Sequence, residues 1–393
     1  MEHKKTFTII LNSFLLLLVL QPCFQIYFPI FSYTDELLSL FSIPIIVLCV
    51  CKNTKIAIKK SDVKLISTLF GILFIGVLSN LIYKIQDLKY VIGDILVFYK
   101  FFLLYLFSRI IFKNACFKKF ILKILIIFFF LGTLYDLMFS INVSSYLRFG
   151  LFSNYFIFGT PLGLVAISSL ILCCYLYAIK KIDVYVVMDC FVILSSLRFK
   201  AFVFILFFIV LAFLILRSNY KLKINKLVLV GIIAFIITYN EINFYFFSSV
   251  DTTARGQLLV NSLNILKDFF PLGSGFGTFA SYMSGINYSS LYYVYGLNDI
   301  YGLSPIFTSY LSDSFWPMIF AQFGIVGTCL FIYCIWNLYM KIQTGYNIQH
   351  KYEYLSKILA LSYLLISSIS ESAFVNPICI GFAIILGLEV RYE

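Results

Sequence analysis

Histidine is nearly missing from this 393-residue chain, which carries only His3 and His350. Both fall in stretches assigned below to the cytoplasmic side of a membrane. Chemistry at the opposite face therefore has no imidazole to act as base, nucleophile or metal ligand, and carboxylates and guanidiniums have to carry it. Charge is scarce as well. Only 12% of residues are charged, against 62% hydrophobic and a mean hydropathy of +0.97, more apolar surface than a soluble domain of this length can bury. Ten cysteines are present, yet Cys23, Cys49, Cys51, Cys173, Cys174, Cys190, Cys329, Cys334 and Cys379 sit in hydrophobic runs or at their ends, and Cys116 in a short basic loop. Their spacing fits no metal site, and the long polar stretch contains none, so neither a disulfide framework nor a structural metal is expected. No basic run with interleaved aromatics marks a nucleic-acid surface. Without internal repeats or low-complexity linkers, 1–393 reads as a single integral membrane domain.

A spanning helix needs about 20 apolar residues, and twelve runs approach that length: 7–25, 36–51, 65–83, 91–111, 120–140, 156–178, 183–198, 200–216, 226–240, 315–340, 356–371 and 373–390. The seventh is short, and the last two almost touch. Lys4 and Lys5 precede the first run as in a secretory signal, but no small-residue cleavage site follows, so this run reads as an uncleaved helix. Lysine and arginine concentrate in cytoplasmic loops. A cytoplasmic N-terminus puts 22 of the 30 basic residues on that side: Lys4 and Lys5, five from Lys52 to Lys64, five from Arg109 to Lys123, Lys180 and Lys181, four from Arg217 to Lys226, three from Lys341 to Lys357, and Arg391. Both termini are then cytoplasmic, and the net charge of +12 is a topology signal.

The stretch from Asn240 to Gly327 is the one long interval between hydrophobic runs, and 241–314 is expected to form an extracytoplasmic loop that carries much of the functional site. It contains Asp251-Thr-Thr-Ala-Arg255 leading into a short amphipathic helix, the glycine-rich Pro271-Leu-Gly-Ser-Gly-Phe-Gly277-Thr-Phe279, seven tyrosines between Tyr282 and Tyr310, and Ser312-Asp313-Ser314-Phe-Trp-Pro317. The glycine segment is not a nucleotide loop, because no GK[ST] follows it and no βαβ pattern surrounds it. It reads as a tight bend. The tyrosines suit either an interfacial belt or stacking faces for sugar rings.

Arginine is used selectively. Lysine outnumbers it 24 to 6, yet three of the eight basic residues outside the cytoplasmic set are Arg148, Arg198 and Arg255. The guanidinium is a rigid, always-charged fork matched to phosphate oxygens, whereas lysine is a flexible point charge. Outward-facing arginines near membrane depth therefore suit a diphosphate headgroup. Arg148, in Ser145-Tyr-Leu-Arg-Phe-Gly150-Leu-Phe-Ser-Asn154, can equally snorkel to the headgroups from the start of a helix. Arg198 follows Ser195-Ser-Leu197 at the outer end of the short run, where burying a bare charge costs at least ~2.5 kcal/mol. In the amphipathic helix, Gln257, Asn261, Asn264 and Asp268 form a polar stripe opposite Leu259, Leu263, Leu266 and Phe270. Arg255 falls on the apolar side, in a first turn preceded by the possible caps Asp251, Thr252 and Thr253. There the helix dipole favours an anion.

Asp313 lies between two serines just before a hydrophobic run. It can serve as general base for a sugar hydroxyl or, like Ser312 and Ser314, as a helix N-cap. Asp94, Lys100, Asp136, Asp189 and Glu371 fall inside the bilayer and need partners or a cavity. Lys100 and Asp189 share a depth and are expected to pair.

The ordered set Leu147-Arg-Phe-Gly-Leu-Phe-Ser-Asn154, Ser195-Ser-Leu-Arg198, Arg255 followed by Pro271-Leu-Gly-Ser-Gly-Phe-Gly-Thr-Phe279, and Ser312-Asp-Ser-Phe-Trp316 followed by Gln322-Phe-Gly-Ile-Val-Gly327 resembles the bacterial O-antigen polymerase (Wzy) family and the related O-antigen ligases. The likeness covers roughly 145–330 and lies in the joint order of the motifs. It implies an all-α polytopic membrane protein of about 12 transmembrane helices with a GT-C-like fold, in the bacterial cytoplasmic (inner) membrane. It further implies a glycosyltransferase that uses no metal, nucleotide sugar or other cofactor and joins undecaprenyl-diphosphate-linked oligosaccharides into O-antigen or capsular polysaccharide. Its partners would be lipid-linked donor and acceptor, membrane lipids and a chain-length regulator protein, with no nucleic acid. By position, Arg198 and Arg255 would bind the diphosphate, with Arg148 assisting and Asp313 catalytic. In the ligases a histidine stands eleven residues before the final glycine motif; Asp313 has that spacing before Gly324, which favours polymerase over ligase. A lipid-linked glycan flippase is the alternative of another class.

Overall fold

A computed structural model describes residues 2–52, 60–148, 150–217, 221–222, 224–243 and 253–389. Nearly all regular structure is helical: α1 (Glu2–Tyr27), α2 (Thr34–Lys52), α3 (Lys60–Tyr83), α4 (Leu88–Ile111), α5 (Lys119–Phe139), α6 (Pro161–Ile179), α7 (Val184–Ser195), α8 (Phe199–Arg217), α9 (Ile224–Asn243), α10 (Ala254–Asp268), α11 (Tyr282–Ile286), α12 (Ser290–Val294), α13 (Phe315–Thr344), α14 (Lys351–Ser367) and α15 (Cys379–Gly387). Each of the twelve hydrophobic runs contains one of these helices. Among the described residues, eight helices are long and apolar enough to cross a membrane. The short seventh run is the 12-residue α7, and α15 has 9 residues.

The all-α expectation needs one correction. Between α5 and α6 the chain forms a two-stranded antiparallel hairpin, β1 (Val143–Arg148) and β2 (Leu151–Asn154), with Arg148 opposite Leu151. Arg148 thus closes a strand rather than starting a helix. The local cause is Gly150 at φ +75°, a turn conformation that costs glycine nothing, between short segments that include Val143, Tyr146 and Phe152.

Packing is the reverse of a soluble bundle. α6 and α14 are buried almost all round, whereas α3 turns Phe70, Phe74 and Leu81 outward, an apolar rim suited to lipid. α4 packs on α2 and α15, α13 on α3 and α10, and α14 on α6 and α8. A knot of phenylalanines joins these layers: Phe323 lies 5.0 Å from Phe98 and 4.8 Å from Phe276, and Phe315 lies 5.1 Å from Phe374, ring centre to ring centre. Such edge and tilted contacts hold α4, the glycine turn, α13 and the α14–α15 loop together.

Lys100 does not pair with Asp189. Because α4 packs against α2, Lys100 meets Asp35 and, at 3.3 Å, Glu36 in the first turn of that helix. Asp189 lies on α7, which packs against α5 and α6. Its carboxylate is fully buried and accepts no hydrogen bond among the described residues.

At one end of the bundle, Asp62 is bound by Arg109, at 3.0 Å, and by Lys341, and Arg109 also reaches Glu389 at 3.5 Å. This network ties α3, α4, α13 and the segment after α15. The other end carries the site.

Candidate functional site

The site is built on a broken helix. α13 is interrupted at Gly324, which has φ 57° and ψ −161°, and a break in a membrane helix leaves carbonyls that need new donors. The glycine turn supplies them. Ser274 N–H donates to the Ala321 carbonyl at 2.8 Å and Gly275 N–H to that of Gln322 at 2.9 Å. The approach is so close that a Cβ on Gly273 would stand 2.3 Å from the Gly324 nitrogen, and one on Gly324 would stand 2.4 Å from the Pro271 oxygen. Only glycine fits at either position.

Polar side chains of α3, α4 and the loop between them lock the other side of the turn. Asn80 brackets Phe276, donating to its carbonyl at 3.0 Å and accepting from its N–H at 2.8 Å. Gln86 donates to the Gly277 carbonyl at 2.8 Å, and Asp94 accepts from the Gly277 N–H at 2.8 Å. Asp94, expected to need a partner inside the bilayer, has one in this backbone. Residues 273–281 are buried throughout. The segment read as a bend in an outer loop is a bend, but one inserted into the helical bundle.

Above this wedge α10 rests on α13, started by Thr253, whose hydroxyl accepts from Gly256 N–H at 3.3 Å. Asp251 and Thr252, the other expected caps, lie outside the described residues. The face of α10 that is buried carries Leu258, Asn261, Ser262 and Ile265, while Leu263 and Phe270 are exposed. Neither stripe is buried as a whole: at a membrane surface the apolar stripe has lipid as its alternative partner. Arg255 shares the buried face of Leu258, Ser262 and Ile265 by helical spacing. Its guanidinium donates to Asp313 at 3.1 Å.

The α7–α8 junction brings in two more cations. Leu197 adopts φ +51°, a left-handed conformation that branched side chains avoid. This sharp break lets a new helix start at Phe199 with Arg198 just ahead of it and Lys200 in its first turn. Lys200 pairs with Glu371 at 2.8 Å. Glu371 lies in the α14–α15 loop, where Ser372 donates to the Ser312 carbonyl at 2.5 Å and the Trp316 indole donates to Ser368 at 3.1 Å. These bonds hold the Asp313 and Glu371 segments side by side. Arg198 and Arg255 both act electrostatically on Asp313 and on Lys200.

Of the residues singled out from sequence, Arg198, Arg255 and Asp313 are thus brought together. Arg148 is not part of the cluster: it forms no ion pair among the described residues, although its hairpin is anchored nearby through Ser153, which donates to the Ser196 carbonyl at 2.7 Å. Asp313 does not cap α13. Ser314 occupies the N-cap without a side-chain cap bond, and the Asp313 carboxylate is turned to Arg255 instead. Burial pushes the Asp313 carboxyl above its ordinary value, Arg255 draws it back, Glu371 pushes it up again and Arg198 opposes. Lys200 is absent from the sequence expectations, and Glu371 figures there only as a charge in need of a partner. The signal for Lys200 was its place two residues after Arg198 in the same helix break. Of the seven tyrosines, three are pins: Tyr292 accepts from Ala280 N–H at 2.8 Å, Tyr288 donates to the Leu303 carbonyl at 2.7 Å and Tyr295 to Asp268 at 2.6 Å. Tyr282, Tyr293 and Tyr301 are exposed.

The chain matches no protein-family model and no curated protein sequence. Three cations face two carboxylates in a partly desolvated corner, an excess of positive charge suited to an anion with several oxygens. Burial raises the proton affinity of one of those carboxylates, Asp313, the direction that favours a general base. Among the described residues no group of three His, Cys, Asp or Glu side chains could hold one metal ion.

Proposed function

We propose that this chain is a polytopic polymerase that joins undecaprenyl-diphosphate-linked oligosaccharide repeats into O-antigen or capsular polysaccharide at the outer face of the bacterial inner membrane. On this reading all twelve hydrophobic runs cross or enter the bilayer in a GT-C-like arrangement with both termini cytoplasmic. The observation that carries the proposal is the Arg255–Asp313 ion pair with Arg198 beside it: a phosphate-binding fork in contact with a proton acceptor. Arg198 and Arg255 hold the donor diphosphate. Asp313 takes the proton from the acceptor hydroxyl as that oxygen bonds to the anomeric carbon, and the glycosyl–phosphate bond breaks with its electron pair on the departing lipid diphosphate. Arginines oriented to developing phosphate charge stabilise that departure. Arg148, on a neighbouring hairpin, contributes through long-range charge.

Deletion of the gene and gel analysis of surface polysaccharide tests this reading. A polymerase loss leaves product carrying one repeat, a ligase loss leaves none attached, and a flippase loss leaves none exported. Full-length polymer in the deletion strain would overturn the proposal.

A further inference from the structure

Three basic side chains, Arg198, Lys200 and Arg255, converge where α8 and α10 begin, yet the sequence argument needs only the two arginines. Lys200 is the most enclosed of the charged side chains paired here, 5% exposed against 14% for its partner Glu371, and its pairing distance is 2.8 Å. The second pair, Arg255 with Asp313, is more open at 22% and 34% exposed. The two pairs are coupled. Ser372, next to Glu371, donates to the carbonyl of Ser312, next to Asp313, and the charge of Glu371 acts on Asp313.

The energetics of such an arrangement point one way. Two like-charged carboxylates held side by side repel each other, and each is kept in place by a cation that a stronger anion would also bind. An anion with several oxygens can engage cations bidentately, and it brings more charge than one carboxylate. The site is therefore a closed set of ion pairs with a built-in exchange reaction. Arriving diphosphate takes the cations, and the carboxylates are released.

We propose that Lys200 is a third diphosphate-binding cation and that Asp313 and Glu371 are internal competitors, which occupy the cationic site when it is empty and are displaced when a lipid-linked diphosphate binds. The inference rests on the polymerase reading of the same site and adds to it a resting state. Before substrate arrives, Arg255 holds Asp313; once the diphosphate has taken Arg255, the Asp313 carboxylate is free to accept the hydroxyl proton. Glu371, released from Lys200, sits beside Asp313 and raises its proton affinity at that moment. The base is thus armed only with donor bound, which keeps acceptor hydroxyls and water from being activated at an empty site.

The test is a binding titration on the full-length protein in detergent or nanodiscs, with inorganic pyrophosphate as the probe and thermal stability followed in parallel. Removing a competitor tightens binding. Asp313→Asn and Glu371→Gln are each expected to bind pyrophosphate about 2- to 5-fold more tightly than wild type, with Asp313→Asn losing polymerisation all the same. Lys200→Met, which removes a ligand, is expected to bind at least 5-fold more weakly. Because Lys200→Met leaves Glu371 without its partner, the double variant Lys200→Met/Glu371→Leu, which removes both charges, is the control for misfolding and should show the same weakening. The inference fails if the two carboxamide variants bind as wild type or more weakly while melting normally. If Arg198→Ala and Arg255→Ala abolish binding in that same experiment, the polymerase reading stands and only the exchange is lost. Absence of pyrophosphate binding to wild type and to both carboxamide variants would sink both. Equal competition by phosphatidylglycerol in nanodiscs would make the cluster a general phospholipid-headgroup site and overturn the assignment to diphosphate.

Discussion

Arg255 and Asp313 lie 58 residues apart in sequence and are joined by a 3.1 Å hydrogen-bonded ion pair. The pair links the first turn of α10 to the residue just ahead of α13, two helices that pack against each other, and the turn after α10 is wedged into the break of α13. Its geometry therefore depends on backbone contacts well removed from the charges themselves.

Arginine at 198 and 255 is expected to act through its planar fork and not through charge alone, since lysine is abundant in this chain and stands two residues away at 200. Arg198→Lys and Arg255→Lys should each lose most polymerisation at normal protein level in the membrane. A charge-assisted bidentate contact is worth about 1.5 to 3 kcal/mol, one to two decades in rate. Full-length polymer from both variants would remove the diphosphate clamp.

For Asp313, asparagine preserves shape but accepts no proton. Asp313→Asn and Asp313→Ala are expected to be equally inactive, by roughly 100-fold or more, with the protein still folded and no helix cap lost, because Ser314 occupies the N-cap. Asp313→Glu should recover part of the rate. The readout is the repeat-length distribution made by purified protein from lipid-linked substrate. Wild-type lengths from Asp313→Asn would take this carboxylate out of the mechanism.

The raised proton affinity of Asp313 gives a pH signature with a definite sign. A base must be deprotonated, so activity should fall on the acid side through a limb lying above the ordinary aspartate range. Stability runs the other way. A carboxyl whose folded value is raised favours the protonated native state, so its destabilising effect is absent at low pH and grows as pH rises through the window between the unfolded and folded values. Asp313→Asn should flatten the melting temperature across that window. A wild-type limb at or below the ordinary value would contradict the assignment.

Glycine substitutions separate steric need from backbone strain. Gly273→Ala and Gly296→Ala both place a side chain at positive φ, but the added Cβ at 296 meets nothing within 4 Å, whereas at 273 it strikes the Gly324 backbone. Gly296→Ala is expected to cost about 1 to 2 kcal/mol and to keep activity. Gly273→Ala should lose far more stability and most of the membrane-inserted protein. Similar melting temperatures for the two would refute the wedge.

Topology is tested by labelling. A cysteine placed in 282–300 should react with an impermeant maleimide added to intact spheroplasts, above the background of the native cysteines, and one at Asn347 should not. The opposite pattern would put the site on the wrong face.

What could be read from sequence follows from the range of the forces involved. Hydrophobic length and lysine distribution are local, and each of the twelve runs holds a helix. The β1–β2 hairpin turns on a local signal too, Gly150 at a tight turn, but it is set among long hydrophobic runs that read as helices. On α10, periodicity shows which stripe is apolar and not whether core or lipid covers it. Lys100 found Asp35 rather than Asp189 because the pairing of α4 with α2 is a tertiary fact. Arg198, Arg255 and Asp313 were legible as chemistry that low-polarity surroundings do not tolerate idly. Lys200 and Glu371 join the cluster only through the α14–α15 loop, whose place beside Ser312 no short motif announces.

The wedge at Gly273 and Gly324 also constrains how the protein is made. The donors, Ser274 and Gly275, leave the ribosome well before their acceptors, Ala321 and Gln322, and until α13 exists they have no partner but water. The native hydrogen bonds of the turn therefore form only after α13 has been made, although Asn80 and Asp94, which bond its other side, precede it in the chain. A nascent chain ending short of Val326 would accordingly carry the arginine of α10 without the helix break that the turn fills, and Glu371 would join only later still.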